Sequence, residues 1–325
     1  MKLTIAIPTY NRSNKLQDTI KKLLLQIISS NHRSNVAVFV SNNGSTDSTI
    51  NVLEIFEKIF QEHNINFRYN NFKKNEGFDN NVCKCYSECC TDYIWLLSDD
   101  DIISDFAVNQ IFIDIAKYNP NIIFYNFCQE PYSRYNPYIK ENNYFKYFDV
   151  NAAKIIINFP KLSVFVFKKI LHLDIQFNYN LGFAHITLML HLFTNNGGLL
   201  LSKYFIGEPQ NDYKDNIDFV PYIGNNLNLT LLKYLKTSSS DNLYNLLKLP
   251  YTNPLSSSLN MLSCYYRGKF YVSNQLKLDL FNTIRDEIAN PKFKNIFTLK
   301  TIIELFKIIF SIFIHYFRVV LKIIF

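Results

Sequence analysis

The sequence predicts an α/β fold in which helices flank a mostly parallel sheet. The first observation is that short apolar, β-prone runs alternate with segments of helical spacing over about the first hundred residues, and this alternation is typical of parallel sheets. The second is size, because the chain has 325 residues, 48% of them hydrophobic, with only 8 Gly and 10 Pro. It can therefore bury a sizeable core and is neither disordered nor fibrous.

Four strands are predicted in the first part of the chain. Residues 3–7 form the first, which Pro8 closes, and residues 36–40 form the second. Residues 65–69 form a weaker third strand, and residues 93–97 form the fourth. Because ligands of such sheets lie outside the carboxyl ends of the strands, we expect the polar loops after the first, second and fourth strands to converge on one site.

The helices predicted between these strands are residues 13–28, with Ser13 as a candidate N-cap, 46–60 and 79–90. Further along, the pattern favours strands at 122–127 and 162–167 and a helix at 180–193; from about residue 226 the apolar spacing is mostly helical. We therefore predict three parts, which are an α/β domain over residues 1–215, a helical region over 216–297 and an amphipathic helix over 298–325.

The terminal segment 298–325 has one polar stripe on an otherwise apolar helix. The stripe recurs every three or four residues and consists of Lys300, Glu304, Lys307, Ser311, His315, Arg318 and Lys322. Residues 292–325 carry six basic and one acidic side chain, so +5 of the net charge of +7 lies there. The longest stretch without charge, 308–317, is too short to span a bilayer. The pattern predicts a helix on a membrane surface, or else one packed on the domain or on a second subunit.

Six cysteines do not form the pattern of a secreted disulfide scaffold. Cys83, Cys85, Cys89 and Cys90 lack the paired C-x₂-C spacing of zinc sites, so a buried apolar helix face is the better interpretation. We expect no secretory signal, since the first apolar stretch ends at Pro8. A cytoplasmic location is expected.

The acidic triplet Asp99-Asp100-Asp101 directly follows the fourth predicted strand. Adjacent carboxylates repel one another, and a hard divalent cation such as Mg²⁺ or Mn²⁺ would compensate them and could hold a diphosphate. The alternative is a helix N-cap with solvated acids for a helix beginning at Ser104. The residues alone leave both interpretations open.

Four motifs in register resemble family 2 glycosyltransferases of the GT-A fold, a Rossmann-like architecture. They are Ile5-Ala6-Ile7-Pro8-Thr9-Tyr10-Asn11-Arg12, Val40-Ser41-Asn42-Asn43-Gly44-Ser45-Thr46-Asp47, Asn75-Glu76-Gly77 with Asn80 or Asn81, and Leu97-Ser98-Asp99-Asp100-Asp101. The last motif, with Trp95 before it, is most similar to the abequosyltransferase-like branch. The resemblance covers about the first hundred residues and is loose beyond Asn126.

This resemblance implies an inverting transfer of a sugar from a nucleotide diphosphate donor, assisted by Mn²⁺ or Mg²⁺. It implies Asp99 and Asp101 as metal ligands, with Asp100 as the next candidate, and it places Asp99 and Asp100 among the residues that bind the donor. The remaining donor-binding residues that it implies are Pro8, Thr9, Tyr10, Asn11, Arg12, Asn42, Asn43, Asn75 and Gly77. Among these, Asn42 is expected at the edge of the base.

Two residues in these motifs depart from the family pattern. The family usually has Asp at the position of Asn42, where it accepts the ring N–H of uracil, whereas an amide can accept or donate. We therefore hypothesise that Asn42 relaxes the base preference and admits a CDP-sugar. Ser98 stands where many members have the first acid of a D-x-D-D pattern, which shifts the assignment of metal ligands by one or two positions.

The candidate catalytic base is His185. Family members often carry Glu-Asp at the start of a later helix, and the equivalent stretch here is Gly182-Phe183-Ala184-His185. A neutral imidazole is available near neutral pH because the ordinary pKa of histidine is near ~6.5. The alternative is a histidine packed inside the protein.

The predicted function is therefore a hexosyl- or deoxyhexosyltransferase that acts at the inner face of the cytoplasmic membrane. Its acceptor would be a hydroxyl of a bacterial surface glycan or glycolipid, such as a lipopolysaccharide precursor. The alternative function is a membrane-associated nucleotide-sugar-binding protein without catalysis. No G-x-G-x-x-G follows a strand, which argues against a nicotinamide oxidoreductase, and no basic-aromatic module for nucleic acid is present.

Overall fold

The computed structural model describes residues 1–127, 139–157, 159–170, 182–209 and residue 230. The chain divides into two compact units, Met1–Tyr213 and Lys214–Phe325. The predicted helical region 216–297 and the predicted amphipathic helix 298–325 lie outside the described residues, apart from Thr230, which is helical. Among the described helices, none combines the length and the apolar character needed to cross a membrane.

Within the described residues, eight strands form the main sheet and two more form a small antiparallel ribbon. The strands are β1 (Leu3–Thr9), β2 (Val36–Asn42), β3 (Asn66–Asn71), β4 (Tyr93–Leu96), β5 (Asp101–Ile103), β6 (Ile122–Asn126), β7 (Asn143–Phe145), β8 (Phe165–Lys168), β9 (Leu199–Phe205) and β10 (Gly207–Pro209). The helices are α1 (Ser13–Ser29), α2 (Thr49–Glu62), α3 (Phe78–Ser87), α4 (Ala107–Tyr118), α5 (Val150–Ile157) and α6 (Ala184–Asn196).

The main sheet has the order β3-β2-β1-β4-β8-β6-β9-β7 and is mostly parallel. The strands β1 to β4 and the pair β6 and β9 run parallel, whereas β8 and the edge strand β7 run antiparallel to their neighbours. The predicted mostly parallel α/β architecture is thus confirmed. Strand β5 instead pairs with β10.

The strand order reverses beside β1, and this reversal positions the site. The chain moves outward from β1 to β2 and β3, then returns to form β4 on the other side of β1. Helix α3 therefore lies on the opposite face of the sheet from α1 and α2 and packs against α6. In such sheets ligands bind where the order reverses, here outside the carboxyl ends of β1 and β4.

The core consists of the central strands, which are buried on both faces. Every residue of β1, β4 and β6 is buried, as expected for strands covered by helices on both sides. Trp95 on β4 is fully buried, and its Nε1–H donates to the carbonyl of Ser163 over 2.7 Å. This bond ties β4 to the segment that leads into β8.

Several element ends differ from the sequence prediction. Strand β1 continues through Pro8, which was predicted to end it. The carbonyl of Ala6 faces β4, and groups two residues apart in a strand point to the same side. The position where Pro8 lacks an N–H therefore also faces the β4 side, but beyond the last residue of β4 that pairs with β1, so no hydrogen bond of the sheet is lost. The N-cap of α1 is Arg12, not Ser13, and the first-turn N–H of Ser13 donates to Asp47 over 3.0 Å. Helix α4 begins at Ala107 and not at Ser104.

A buried carboxylate joins α3 to the start of α6. Asp79, in the first turn of α3, accepts the backbone N–H groups of Gly182 over 3.0 Å and of Ala184 over 2.9 Å. Asp79 is 2% exposed. It satisfies the first backbone donor of α6, the N–H of Ala184, and also that of Gly182 just before the N-cap Phe183. About a hundred residues separate the two segments.

We expect Asp79→Ala to lower the free energy of unfolding by about 2–4 kcal/mol, because two buried backbone N–H groups lose their acceptor. Equilibrium urea unfolding measures the change. Asp105→Ala is the matched control, since its side chain is 81% exposed, and it should change stability by less than about 0.5 kcal/mol. Equal unfolding midpoints for the two variants would contradict the role of Asp79.

Candidate functional site

The candidate site lies at the carboxyl edge of β1, β2 and β4. Thr9 and Asn42 end neighbouring strands side by side in register, and the acidic triplet begins three residues after the end of β4. The backbone N–H of Asn43 donates to the carbonyl of Thr9 over 3.0 Å. The three loops predicted to meet at one edge of the sheet are therefore adjacent.

Asp99 and Asp100 share one cationic partner. Arg12 Nη1 lies 2.9 Å from Asp99 Oδ1 and 2.9 Å from Asp100 Oδ2. The second oxygen of Asp99 accepts the hydroxyl of Thr9 over 2.6 Å, and the second oxygen of Asp100 accepts that of Ser98 over 2.6 Å. Each carboxylate is thus held by a hydroxyl on one oxygen and by the guanidinium on the other.

Asp101 has a different set of partners. It lies in β5, where its carboxylate accepts the hydroxyl of Ser163 over 2.5 Å and the ammonium of Lys161 over 3.2 Å. Asp99 and Asp101 are both nearly fully buried, whereas the side chain of Asp100 is 16% exposed. The acids therefore do not cap a helix as solvated residues, which was the alternative interpretation.

Burial controls the ionisation of these acids. It raises the pKa of Asp99 to about 6, although Arg12 and Thr9 act to lower it. Burial likewise raises the pKa of Asp101, and the ammonium of Lys161 and the hydroxyl of Ser163 offset part of this effect. The ionised forms depend on the cations beside them, because an isolated buried carboxylate is costly.

The described residues contain no group of three or more His, Cys, Asp or Glu side chains arranged to hold a metal ion. A smaller set fits one, because oxygens of Asp99 and Asp100 converge on a position that a protein cation occupies. The metal ligands predicted from the sequence, Asp99 and Asp101, differ from this pair. Asp101 instead turns to Lys161.

The loop after β1 is fixed by the loop after β2. Asn11 adopts a left-handed conformation with φ of 51°, and its side-chain oxygen accepts the N–H of Thr46 over 2.8 Å. Asp47 accepts from Ser13 at the start of α1 and from Thr49 at the start of α2. Burial raises the pKa of Asp47, but these hydrogen bonds leave it below its ordinary value. Tyr10 lies within this loop and is 39% exposed.

Asn42 and Asn43 are buried and organise the surrounding loops. Asn42 Oδ1 accepts the N–H of Ser45 over 3.2 Å, which fixes the amide so that Nδ2 donates to Asn71 over 2.9 Å. The amide of Asn43 bonds to Asn75, Glu76 and Gly77 in the loop before α3. Both amides therefore have protein partners in the structure.

Two glycines allow this loop arrangement. Gly44 has φ of 70°, and a side-chain carbon there would lie 2.6 Å from the backbone of Lys74. Gly77, the N-cap of α3, has φ of 89° and donates its N–H to Asn75 over 2.8 Å. Larger residues would be strained at both positions.

His185 lies in the first turn of α6 and is 2% exposed. Its Nε2 is 2.8 Å from the carbonyl of Pro160, so this nitrogen carries the proton. The other ring nitrogen, Nδ1, is buried and has no hydrogen-bond partner among the residues that the structure describes. The ring lies near Phe78, Phe165 and Phe183. These surroundings favour the packing alternative, and the role of His185 as a base stays a prediction.

The cysteine cluster separates into buried and accessible members. Cys85 and Cys89 are buried, Cys83 is partly exposed and Cys90 is exposed. The thiols of all four are free. The burial of Cys85 and Cys89 agrees with the prediction, but only Cys85 lies on a helix face, because α3 ends at Ser87.

Three site residues were missed by the sequence reasoning, namely Lys161, Ser163 and Asp79. Each contacts a partner at least sixty residues away in the chain, and no local spacing marks such pairs. The role of Asp47 could have been predicted from the sequence. It lies in the turn-rich segment before α2, where short polar side chains often cap a helix.

The sequence of this chain is similar to that of a known protein family and of a known enzyme. A family model described as Glycosyl transferase family 2 matches residues 4–172, slightly more than half of the chain. Abequosyltransferase RfbV of Salmonella typhimurium (strain LT2) is 28% identical over 118 residues, which make up 35% of this chain and 33% of RfbV. The match thus spans about a third of that relative's length.

Two solved structures are similar in fold. TarS 1–349 of S. aureus in complex with UDP-GlcNAc has a TM-score of 0.60 at 13% identity, with 96% of this chain and 89% of that chain covered. The mannosyltransferase PcManGT of Pyrobaculum calidifontis, in complex with GDP-Man and Mn²⁺, has a TM-score of 0.58 at 10% identity, with 95% and 87% covered. The predicted GT-A fold is thereby confirmed.

We expect wild type to lose stability relative to His185→Gln as the pH falls from about 6.5 to about 4. Burial lowers the pKa of His185 to about 4, whereas the unfolded imidazole gains a proton near ~6.5, so the unfolded state binds more protons within this window. The relative loss should be on the order of 3 kcal/mol at pH 4. Urea unfolding of both proteins across this range measures it.

Glutamine is the chosen replacement because its amide can still donate to the carbonyl of Pro160. The stability that the neutral imidazole contributes is complete above about 6.5 and is lost as the pH approaches 4. A stability difference that stays constant with pH would show that His185 titrates alike in both states.

Proposed function

Because the chain belongs to glycosyl transferase family 2, we propose that it transfers a sugar from a nucleotide diphosphate donor to an acceptor hydroxyl. The observation that carries the proposal is the convergence of Asp99 and Asp100 on one cation beside the reversal of strand order. Carboxylates at this position suit a divalent cation, and the cation in turn suits a diphosphate.

The proposed cofactor is Mn²⁺ or Mg²⁺, held by Asp99 and Asp100. A hard cation of this kind needs only one or two protein carboxylates when phosphate oxygens and water complete its shell. When bound, it would neutralise the charge that develops on the leaving diphosphate. The complex of PcManGT with GDP-Man and Mn²⁺ supports this cofactor by similarity of fold.

The proposed donor-binding residues surround the acidic pair. They are Pro8, Thr9, Tyr10, Asn11, Arg12, Asn42, Asn43, Asn75 and Gly77, with Asp101 in support through its pairing with Lys161. Tyr10 presents an exposed ring at the carboxyl edge of the sheet. The amide of Asn42 has a second N–H, which could donate to a ring acceptor such as N3 of cytosine, and this supports tolerance of a CDP-sugar.

An inverting transfer needs a base that takes the proton of the acceptor hydroxyl. His185 remains the proposed base, although its Nε2 is committed to the carbonyl of Pro160. Transfer by the His185→Gln variant decides the role. A loss of about a hundredfold or more in the transfer rate supports the role of His185 as the base. A near-normal rate shows that another group accepts the proton of the acceptor hydroxyl.

A second candidate function is nucleotide-sugar binding without catalysis. The observations in its favour are Ser98 at the position of the first family acid and the lack of a carboxylate in the sequence at the start of α6. Hydrolysis of the donor with Mn²⁺ separates the two functions, because a protein that only binds releases no sugar.

The proposed acceptor is a lipid-linked bacterial surface glycan at the inner face of the cytoplasmic membrane. The similarity to abequosyltransferase RfbV supports a deoxyhexose donor. A lipopolysaccharide precursor is the proposed acceptor of this class. The basic stripe within residues 298–325 supports attachment to anionic lipid.

We expect Asp100→Asn to weaken the binding of UDP and of CDP in the presence of Mn²⁺ by about tenfold or more, because the metal loses a carboxylate ligand. Isothermal titration calorimetry with and without Mn²⁺ measures the effect. The control Asp105→Asn, at an exposed position, should bind as wild type does. Unchanged Mn²⁺-dependent binding by Asp100→Asn would remove Asp100 from the metal site.

Replacing Lys300, Lys307, Arg318 and Lys322 by Gln in the full chain should reduce binding to vesicles of anionic lipid by at least about tenfold, since each basic residue near the surface contributes about 1 kcal/mol. Vesicle sedimentation measures the bound fraction. The control replaces the exposed Lys21, Lys58, Lys117 and Lys203 and removes the same charge. Equal loss in both variants would contradict attachment through the terminal segment.

A further inference from the structure

Arg12 occupies the position that the proposed metal would need. One nitrogen of its guanidinium lies 2.9 Å from an oxygen of Asp99 and 2.9 Å from an oxygen of Asp100. Two ionised carboxylates so close together require a positive charge between them. A single guanidinium compensates only one of their two negative charges. A divalent cation and the guanidinium cannot both fill this position.

The remaining hydrogen bonds of the two acids do not depend on Arg12. Thr9 donates to Asp99 Oδ2 and Ser98 donates to Asp100 Oδ1, whereas Arg12 contacts Asp99 Oδ1 and Asp100 Oδ2. Departure of the guanidinium would therefore free one oxygen on each acid. The hydroxyls would keep both carboxylates in their present orientation.

The side chain of Arg12 is partly exposed to solvent and is not part of the buried core. It is 48% exposed, and its backbone is held separately, because its carbonyl accepts the N–H of Leu16 in the first turn of α1 over 2.9 Å. The pair formed by Lys161 and Asp101 differs. The side chain of Lys161 is 27% exposed, and its ammonium lies 4.1 Å from the ring centre of Phe127.

We propose that Arg12 is an exchangeable counter-ion of the acidic pair Asp99 and Asp100. Without metal the guanidinium offsets one of the two negative charges of the pair. When a divalent cation binds the two freed oxygens, the guanidinium turns to the diphosphate of the donor. The planar guanidinium fork suits two phosphate oxygens as well as it suits two carboxylates. The inference rests on the proposed function, because it requires both a metal and a diphosphate at this site.

The exchange predicts effects of opposite sign for one substitution. Arg12→Gln should bind Mn²⁺ alone more tightly than wild type by roughly tenfold, because the metal no longer competes with a cation, and should bind UDP at saturating Mn²⁺ more weakly by roughly tenfold. Electron paramagnetic resonance of free Mn²⁺ measures the first affinity in the full-length protein, and calorimetry with UDP measures the second.

Two further variants make the test specific. Lys22→Gln removes the same charge from the same helix, where Lys22 pairs with Asp105, and should leave both affinities unchanged. Arg12→Lys keeps a cation and should fall between wild type and Arg12→Gln for Mn²⁺. If Arg12→Gln does not fold, a weaker binding of Mn²⁺ by wild type than by Arg12→Lys supports the exchange, and equal binding overturns it.

The outcomes separate this inference from the proposed function. If wild type binds neither Mn²⁺ nor UDP, the proposed function fails and the exchange fails with it. If wild type binds both and Arg12→Gln binds Mn²⁺ no more tightly, the exchange alone is overturned. A loss of both affinities in Arg12→Gln would assign Arg12 a purely supporting role and would also overturn the exchange.

Discussion

The compensation of buried negative charge is the constraint on which this end of the protein depends. Asp79, Asp99 and Asp101 are each at most 3% exposed, and a carboxylate in such surroundings is stable only with donors around it. Those donors come from distant parts of the chain. Thr9 and Arg12 reach Asp99 from β1 and its loop, and Thr19 of α1 donates to the backbone carbonyl of the same residue. The acids thereby join the ends of strands that apolar packing brings near one another.

The sequence was sufficient to predict the parallel half of the sheet. Apolar runs such as those around Ile5 and Val38 can be read locally, and the parallel pairing of β1 with β2 follows from the helix between them. The strand predicted at 162–167 overlaps β8, but its antiparallel direction was not predicted, and neither were the edge strand β7 and the ribbon of β5 and β10. They are short, and their partners are set by contacts over long sequence separations rather than by their own pattern.

The candidate site shows the same division. The motif that ends in Arg12 and the acidic triplet that begins at Asp99 could both be recognised in the sequence, and the structure brings them into contact. The assignment of partners among the three acids was not accessible, because adjacent residues in a chain can turn to opposite sides. Asn42 and Asn43 show a related effect, since residues expected at a ligand also bond to the loops that form the site.

The joint between α3 and α6 has a consequence for how this protein can diverge. Asp79 recognises backbone N–H groups of Gly182 and Ala184 and no side chain of theirs. The hydrogen bonds that anchor the start of α6 to the first turn of α3 therefore do not depend on the side chains at Phe183 and Ala184, whose exchange is limited by packing because both are buried. Since that turn directly follows Gly77, a substitution at the start of α6 that keeps the backbone in place also keeps the mechanical link to the loop before α3.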